Sequence, residues 1–259
     1  MCVLFVIILA TVIIPNGKYK EALKQIDSGD YISAYTTLES LGDYKESQEK
    51  RKAIAKQLLE NPKVGDIVIF GSYEQDFDTA NGKEAIKWKV LANEKGKLLL
   101  ISEYALDCKP YNEEYEDVTW KTSSIRRWLN GEFIRAAFTG DEQERIAEIT
   151  VENSNNSEYR TKGGKNTKDK LFLLSIEEAE KYFTSDEARA CLPTTYAVAN
   201  GVYRYYRDTN CDWWLRTPGS SQNYAACVLC DGGVHTGGNY VAEDDGAVRP
   251  ALWVDIEAK

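Results

Sequence analysis

The spacing of apolar positions changes twice along the chain, and each change predicts a different kind of structure. From Cys2 to Ile14 every residue except Thr11 is apolar. Together with Met1 this run would make a helix about 21 Å long, short of the ~30 Å hydrocarbon core of a bilayer. No basic stretch precedes it and no small-x-small cleavage site follows before Pro15, so a cleaved signal peptide fits poorly. The pattern predicts an apolar anchor over residues 1–15, a truncated transmembrane helix whose N-terminal part lies upstream of this start; a buried or interfacial segment is the alternative. Lys18, Lys20 and Lys24 follow at once, and the positive-inside rule taken alone would set that flank in the cytoplasm.

Over residues 16–61 the period becomes helical. Tyr19, Ala22, Leu23 and Ile26 form one stripe, and Tyr31, Ala34, Tyr35, Leu38 and Leu41 a second, which predicts two amphipathic helices. Gly-Asp-Tyr occurs at Gly29-Asp30-Tyr31 and again at Gly42-Asp43-Tyr44, placing a helix stop, a cap and an aromatic at each junction. A third helix is expected from Tyr44 to about Glu60, with a boundary at Asn61-Pro62. The segment resembles a fragment of a tetratricopeptide-type array. Such arrays need about three units to bury a continuous core, so this piece reads as a stalk or docking collar.

After Pro62 the period shortens to that of strands, expected over residues 66–70, 86–93 and 97–102. Two helices follow, one from about Ser124 to Phe138 with Ile125, Trp128, Leu129 and Phe133 inward, the other opening on the Ser-x-x-Glu box Ser175 to Glu178. Beyond Cys191 the chain is rich in aromatics and glycine, with tight turns such as Asp231-Gly232-Gly233. Strands, then helices, then strands again predict an α+β domain over residues 62–259, built on a mixed, mainly antiparallel sheet with a loop-rich C-terminal half.

Composition narrows the function. Apolar residues make up 43% and charged residues 28%, so the bulk of the chain is expected to fold. A net charge of −9 gives no clustered basic surface for a phosphate backbone, which excludes nucleic acid as a main partner. His235 is the sole histidine, which weakens imidazole-based metal and acid–base chemistry; no Gly-x-Ser-x-Gly elbow accompanies it. Gly163-Gly164-Lys165-Asn166-Thr167 fails the phosphate-loop pattern at Tyr159 and Asn166. Cys227 and Cys230 form a lone CxxC whose members point to opposite faces of an extended strand. No metal, cofactor or catalytic residue is expected, and the acidic run Glu243, Asp244, Asp245 reads as surface before it reads as glycosidase or calcium ligands.

The most specific stretches are Trp213-Trp214-Leu215-Arg216-Thr217-Pro218-Gly219 and Ala247-Val248-Arg249-Pro250-Ala251-Leu252-Trp253. With Val64-Gly65-Asp66, Phe70-Gly71-Ser72-Tyr73, Trp88-Lys89-Val90, the run from Ser102 to Asn112, and Ile125-Arg126-Arg127-Trp128-Leu129-Asn130, they resemble an uncharacterised bacterial domain family with a C-type-lectin-like fold. The resemblance spans residues 64–256. It implies a scaffold in which the Trp-Trp-Leu-Arg and Val-Arg-Pro-Ala-Leu strands form the sheet centre, Trp214, Arg216 and Arg249 being core, with each buried Arg paired to a carboxylate. The segment between them resembles the variable region of proteins diversified by retroelements, which vary exposed Asn and Tyr on this fold. The glycan signatures of calcium-dependent C-type lectins are missing from it. The expectation is a membrane-anchored, non-enzymatic adhesion or recognition module, extracytoplasmic, binding an unknown protein or glycan through Asn223, Tyr224, His235, Asn239, Tyr240, Glu243 and Asp244. The alternatives are a structural envelope protein, or an enzyme related to the formylglycine-generating oxidases, which share the fold and use a cysteine pair; the Cys227 to Cys230 spacing is shorter than theirs.

Overall fold

The computed structural model describes residues 13–205 and 209–257; of the anchor expected over 1–15, residues 1–12 lie outside the described residues. Among the described residues no helix is long and apolar enough to cross a membrane. Contacts divide the chain into two compact units, 1–62 with 66–69 and 63–65 with 70–259.

The first unit is helical: α1 (Ile14–Asp27), α2 (Tyr31–Glu39) and α3 (Ser47–Glu60). Gly29 ends α1 in the left-handed region at φ 80°, and Asp30 caps α2 by accepting from the Ser33 amide at 3.2 Å. Tyr19, Ala22, Ala34, Leu38 and Ile54 form its core. The third helix begins at Ser47, later than the expected Tyr44, whose ring lies instead in the preceding turn, edge-on to Tyr19 at 6.1 Å.

The strands are β1 (Ile67–Tyr73), β2 (Glu84–Glu94), β3 (Lys97–Ser102), β4 (Asp107–Cys108), β5 (Ile149–Val151), β6 (Thr167–Asp169), β7 (Leu171–Phe172), β8 (Trp213–Pro218), β9 (Tyr224–Val228), β10 (Val234–Tyr240), β11 (Ala247–Val248) and β12 (Ala251–Asp255). One sheet runs β1-β2-β3-β12-β7 and a second β10-β9-β8-β11-β4, with β5 and β6 as a separate ribbon. Pairing is antiparallel at β2/β3, β3/β12, β12/β7, β8/β9 and β9/β10, and parallel at β8/β11. The fold class is α+β. Lys95 and Gly96, at φ 50° and 76°, supply the two left-handed positions that close the β2/β3 hairpin.

The Val-Arg-Pro-Ala-Leu stretch passes from one sheet to the other, β11 lying in the second and β12 in the first. Arg249 sits at that crossing, 1% exposed, with its guanidinium 5.0 Å from the Trp213 ring and 5.3 Å from Phe183. It donates to the carbonyls of Ser102 (3.0 Å) and Arg189 (2.9 Å), not to the expected carboxylate. A guanidinium between two aromatic faces with carbonyl acceptors is satisfied without a carboxylate. Arg216 does carry the expected pair. It bonds Glu178 through both terminal nitrogens and reaches the Leu173 carbonyl at 2.8 Å. Glu178 is also the capping-box residue of the helix Ile176–Tyr182, so one carboxylate fixes a helix start to the central strand β8. The expected helix from Ser124 is present but interrupted by a π-helical turn, Leu129–Phe133. Ile125, Leu129 and Phe133 face the core; Trp128 is half-buried, under the Lys109 ammonium at 4.7 Å in an open cleft with Arg127 and Arg135.

Candidate ligand-binding site

The second sheet presents the C-terminal segment at one edge, where β10 is the outermost strand. The β9/β10 register sets Tyr224 opposite Tyr240, Ala225 opposite Asn239 and Cys227 opposite His235, with a bulge between His235 and Asn239. Gly238 makes the bulge possible. It stands at φ 69°, and a Cβ there would lie 2.0 Å from the Ala225 carbonyl oxygen.

Two features meet at this edge. The first is a cluster of tyrosines: Tyr224 and Tyr240 pack with ring centroids 4.3 Å apart, and Tyr115 closes on Tyr240 at 5.2 Å. Tyr115 and Tyr240 are 59% and 42% exposed, so the cluster presents aromatic surface to solvent. A hydrogen bond to Tyr240, then burial, push the Tyr224 phenol up to about 12. Asn223, just before β9, accepts from the Ser221 hydroxyl at 2.7 Å and lies near enough to the Tyr115 phenol to act on it.

The second is a cavity of about 240 Å³ with the carboxylates of Asp212, Glu243 and Asp245, the amide of Asn239, and aromatic walls from Tyr203, Trp213 and Trp214. Gly246 lets its floor form, because a Cβ there would sit 2.1 Å from Trp214 Nε1, the group that donates to the Lys109 carbonyl at 2.9 Å. Tyr203 is held against it by its amide, which donates to the Asp245 carbonyl at 2.9 Å. Burial, then the charges of Asp245 and Asp231, raise the Asp212 carboxyl above its ordinary range, although it accepts from the Cys230 amide at 2.7 Å. Burial and Asp245 raise Glu243 in the same way. Among the described residues no lysine or arginine lines this cavity.

The seven predicted residues divide accordingly. Asn239 and Glu243 line the cavity, and Asn223, Tyr224 and Tyr240 belong to the tyrosine cluster. His235 is exposed, its Nδ1 3.9 Å from the Cys227 sulfur, and Asp244 is exposed, its carbonyl accepting from the Cys108 thiol at 3.1 Å. Neither lines the cavity. Sequence reasoning missed Tyr115, Tyr203, Asp212 and Asp245, and took Trp214 for core alone; Trp213 and Trp214 are core at 0% and 1% exposure and also wall the cavity. Asp212 and Asp245 each flank a motif segment, which was the available signal; nothing local marks Tyr115.

The thiols here are poor nucleophiles. Burial, followed by the charge of Asp212, pushes both Cys227 and Cys230 up, which disfavours the thiolate. Among the described residues the group of carboxylates close enough to share a cation is Glu74, Asp76 and Glu84, in another part of the domain from Glu243, Asp244 and Asp245.

A family model described as a domain of unknown function (DUF6273) matches residues 95–256, which contain the whole of this site. No curated protein and no solved structure matches the chain.

Proposed function

The chain belongs to the DUF6273 family, and from that premise we propose that its second unit is a non-enzymatic ligand-binding module with a C-type-lectin-like fold, the binding face being the β10 edge with its cavity and tyrosine cluster. The observation that carries this reading is the cavity itself: three acidic residues and an asparagine between aromatic walls, with no lysine or arginine among the described residues that line it. A complementary ligand presents an ammonium or other cationic group into the cavity and lays apolar or sugar surface on Tyr115, Tyr224 and Tyr240. A protein bearing a basic side chain and a glycan bearing an amino sugar both meet that description. The raised thiols and the solitary, exposed His235 favour recognition over catalysis. In the same proposal residues 1–15 are the membrane anchor, residues 16–61 a tetratricopeptide-like stalk, and the binding domain is displayed outside the cytoplasm.

The test is an array of glycans and peptides probed with protein from residue 62 onward, with and without calcium. Saturable binding to members bearing free amines, lost on N-acetylation, supports the reading. Copper-dependent oxygen consumption by the same protein, with no array binding, would place it instead beside the formylglycine-generating oxidases.

A further inference from the structure

Two thiols that the binding function leaves unused lie against each other in the core of the second unit. Cys191 follows the short helix Asp186–Arg189, and Cys211 stands just before β8. The Cys211 amide donates to the Cys191 carbonyl at 2.9 Å, and the Cys211 thiol donates to that same oxygen at 3.5 Å. They are 1% and 0% exposed, and neither is bridged to another cysteine. Among the described residues neither belongs to a group able to hold a metal ion. Their sequence separation would not have joined them; the strand-like contact of the two segments does.

The two sulfurs are not equivalent. Burial pushes Cys191 up, but the neighbouring Cys211 thiol and the Arg249 charge outweigh it and favour its thiolate in the folded chain. Cys211 is raised by the neighbouring Cys191 and by burial. Cys227 and Cys230 lack this arrangement, both being pushed up by burial and by Asp212.

We propose that Cys191 and Cys211 are a disulfide-forming pair, a modification site that takes a small-molecule disulfide as its oxidant and closes residues 192–210 into a covalent loop. The Cys191 thiolate attacks one sulfur of the oxidant and expels its first thiolate. The Cys211 thiolate then attacks Cys191 Sγ in that mixed disulfide and expels the second. One protein S–S bond forms, one oxidant S–S bond breaks, two electrons pass to the oxidant, and the two thiol protons leave with its two thiols. Tyr203, which walls the cavity, lies between the two cysteines in sequence.

The experiment refolds the full chain in a reduced and oxidised glutathione buffer, so that both thiols are reachable, then alkylates under denaturing conditions and maps the peptides. Expected is an intramolecular cross-link between the Cys191 and Cys211 peptides, with two fewer alkyl adducts than a dithiothreitol-treated sample. The oxidised protein should melt about 5–10 °C higher, reversibly with dithiothreitol, and gain amide protection over residues 195–205. Cys227→Ser with Cys230→Ser should retain the cross-link; Cys191→Ala should lose it. All cysteines alkylated after oxidation, glutathione retained on Cys191 without ring closure, or a cross-link mapping to Cys227 and Cys230 would each overturn the proposal. Because every readout is independent of ligand, its failure is separable from failure of the binding proposal.

Discussion

Trp214 and Tyr240 stand two strands apart in one sheet and are expected to respond oppositely to truncation. Trp214 is 1% exposed and donates from Nε1 to Lys109, so Trp214→Ala removes a fully buried aromatic and should cost about 3–5 kcal/mol of stability by denaturant titration. Tyr224 and Tyr240 stack at the surface; replacing both by Ala should cost only about 0.5–1.5 kcal/mol of stability while weakening ligand binding by ~2 kcal/mol or more. Unchanged affinity in that double variant would mean that the tyrosine cluster is not part of the face. The cavity carboxyls add a pH signature. Asp212 and Glu243 have raised pKa values in the folded protein, so the native state holds their protons more tightly than the unfolded chain does. The stability they contribute is present at low pH and lost as pH rises through the folded values. Binding of a cation runs the other way, since it needs both carboxylates ionised. Melting temperatures of wild type and of Asp212→Asn with Glu243→Gln should therefore converge as pH falls, the variant being the more stable of the two at high pH; a difference that ignores pH would contradict these assignments.

At the scale of elements, Glu178 links the start of a helix to the central strand through the capping box and Arg216. Glu178→Ala should remove the cap and leave a nearly buried guanidinium without its carboxylate, a loss of about 3–5 kcal/mol measured by chemical unfolding. A loss under about 1 kcal/mol would show that the neighbouring carbonyls alone satisfy Arg216. This joint was half legible in the sequence: Ser175 and Glu178 announce a capping box, and Arg216 announces a buried cation, but nothing local says that they meet. The β2/β3 hairpin was more readable, because the alternation of Ile86, Trp88 and Val90, the turn at Gly96 and the apolar run from Leu98 to Ile101 all act over a short stretch of chain. The passage of one short segment from β11 to β12 was not, since adjacent residues in a motif read as one strand until tertiary pairing separates them. For the same reason the cavity was only partly foreseen: Asn239 and Glu243 lie in the polar run that composition marks, whereas Asp212, Tyr203 and Tyr115 reach the edge through chain connections far from it.

Across the whole molecule, a net charge of −9 and a cavity lined by acidic residues suit the cationic ligand proposed above, the first through the long-range field and the second through contact. A fragment beginning at Pro62 is expected to unfold cooperatively, since the helical core of Tyr19, Ala22, Ala34, Leu38 and Ile54 is built from the first unit's own residues; a fragment without near-ultraviolet dichroism would refute that division. The most direct measurement of the central claim is a pair of calorimetric titrations, with an array-selected amine ligand and its N-acetylated counterpart, against wild type and against Glu243→Gln with Asp245→Asn. The account predicts saturable binding of the free amine to wild type, weakened at least tenfold either by acetylation or by the two substitutions, with little further loss when both are combined. Equal affinity for the two ligands, or full affinity in the variant, would contradict it.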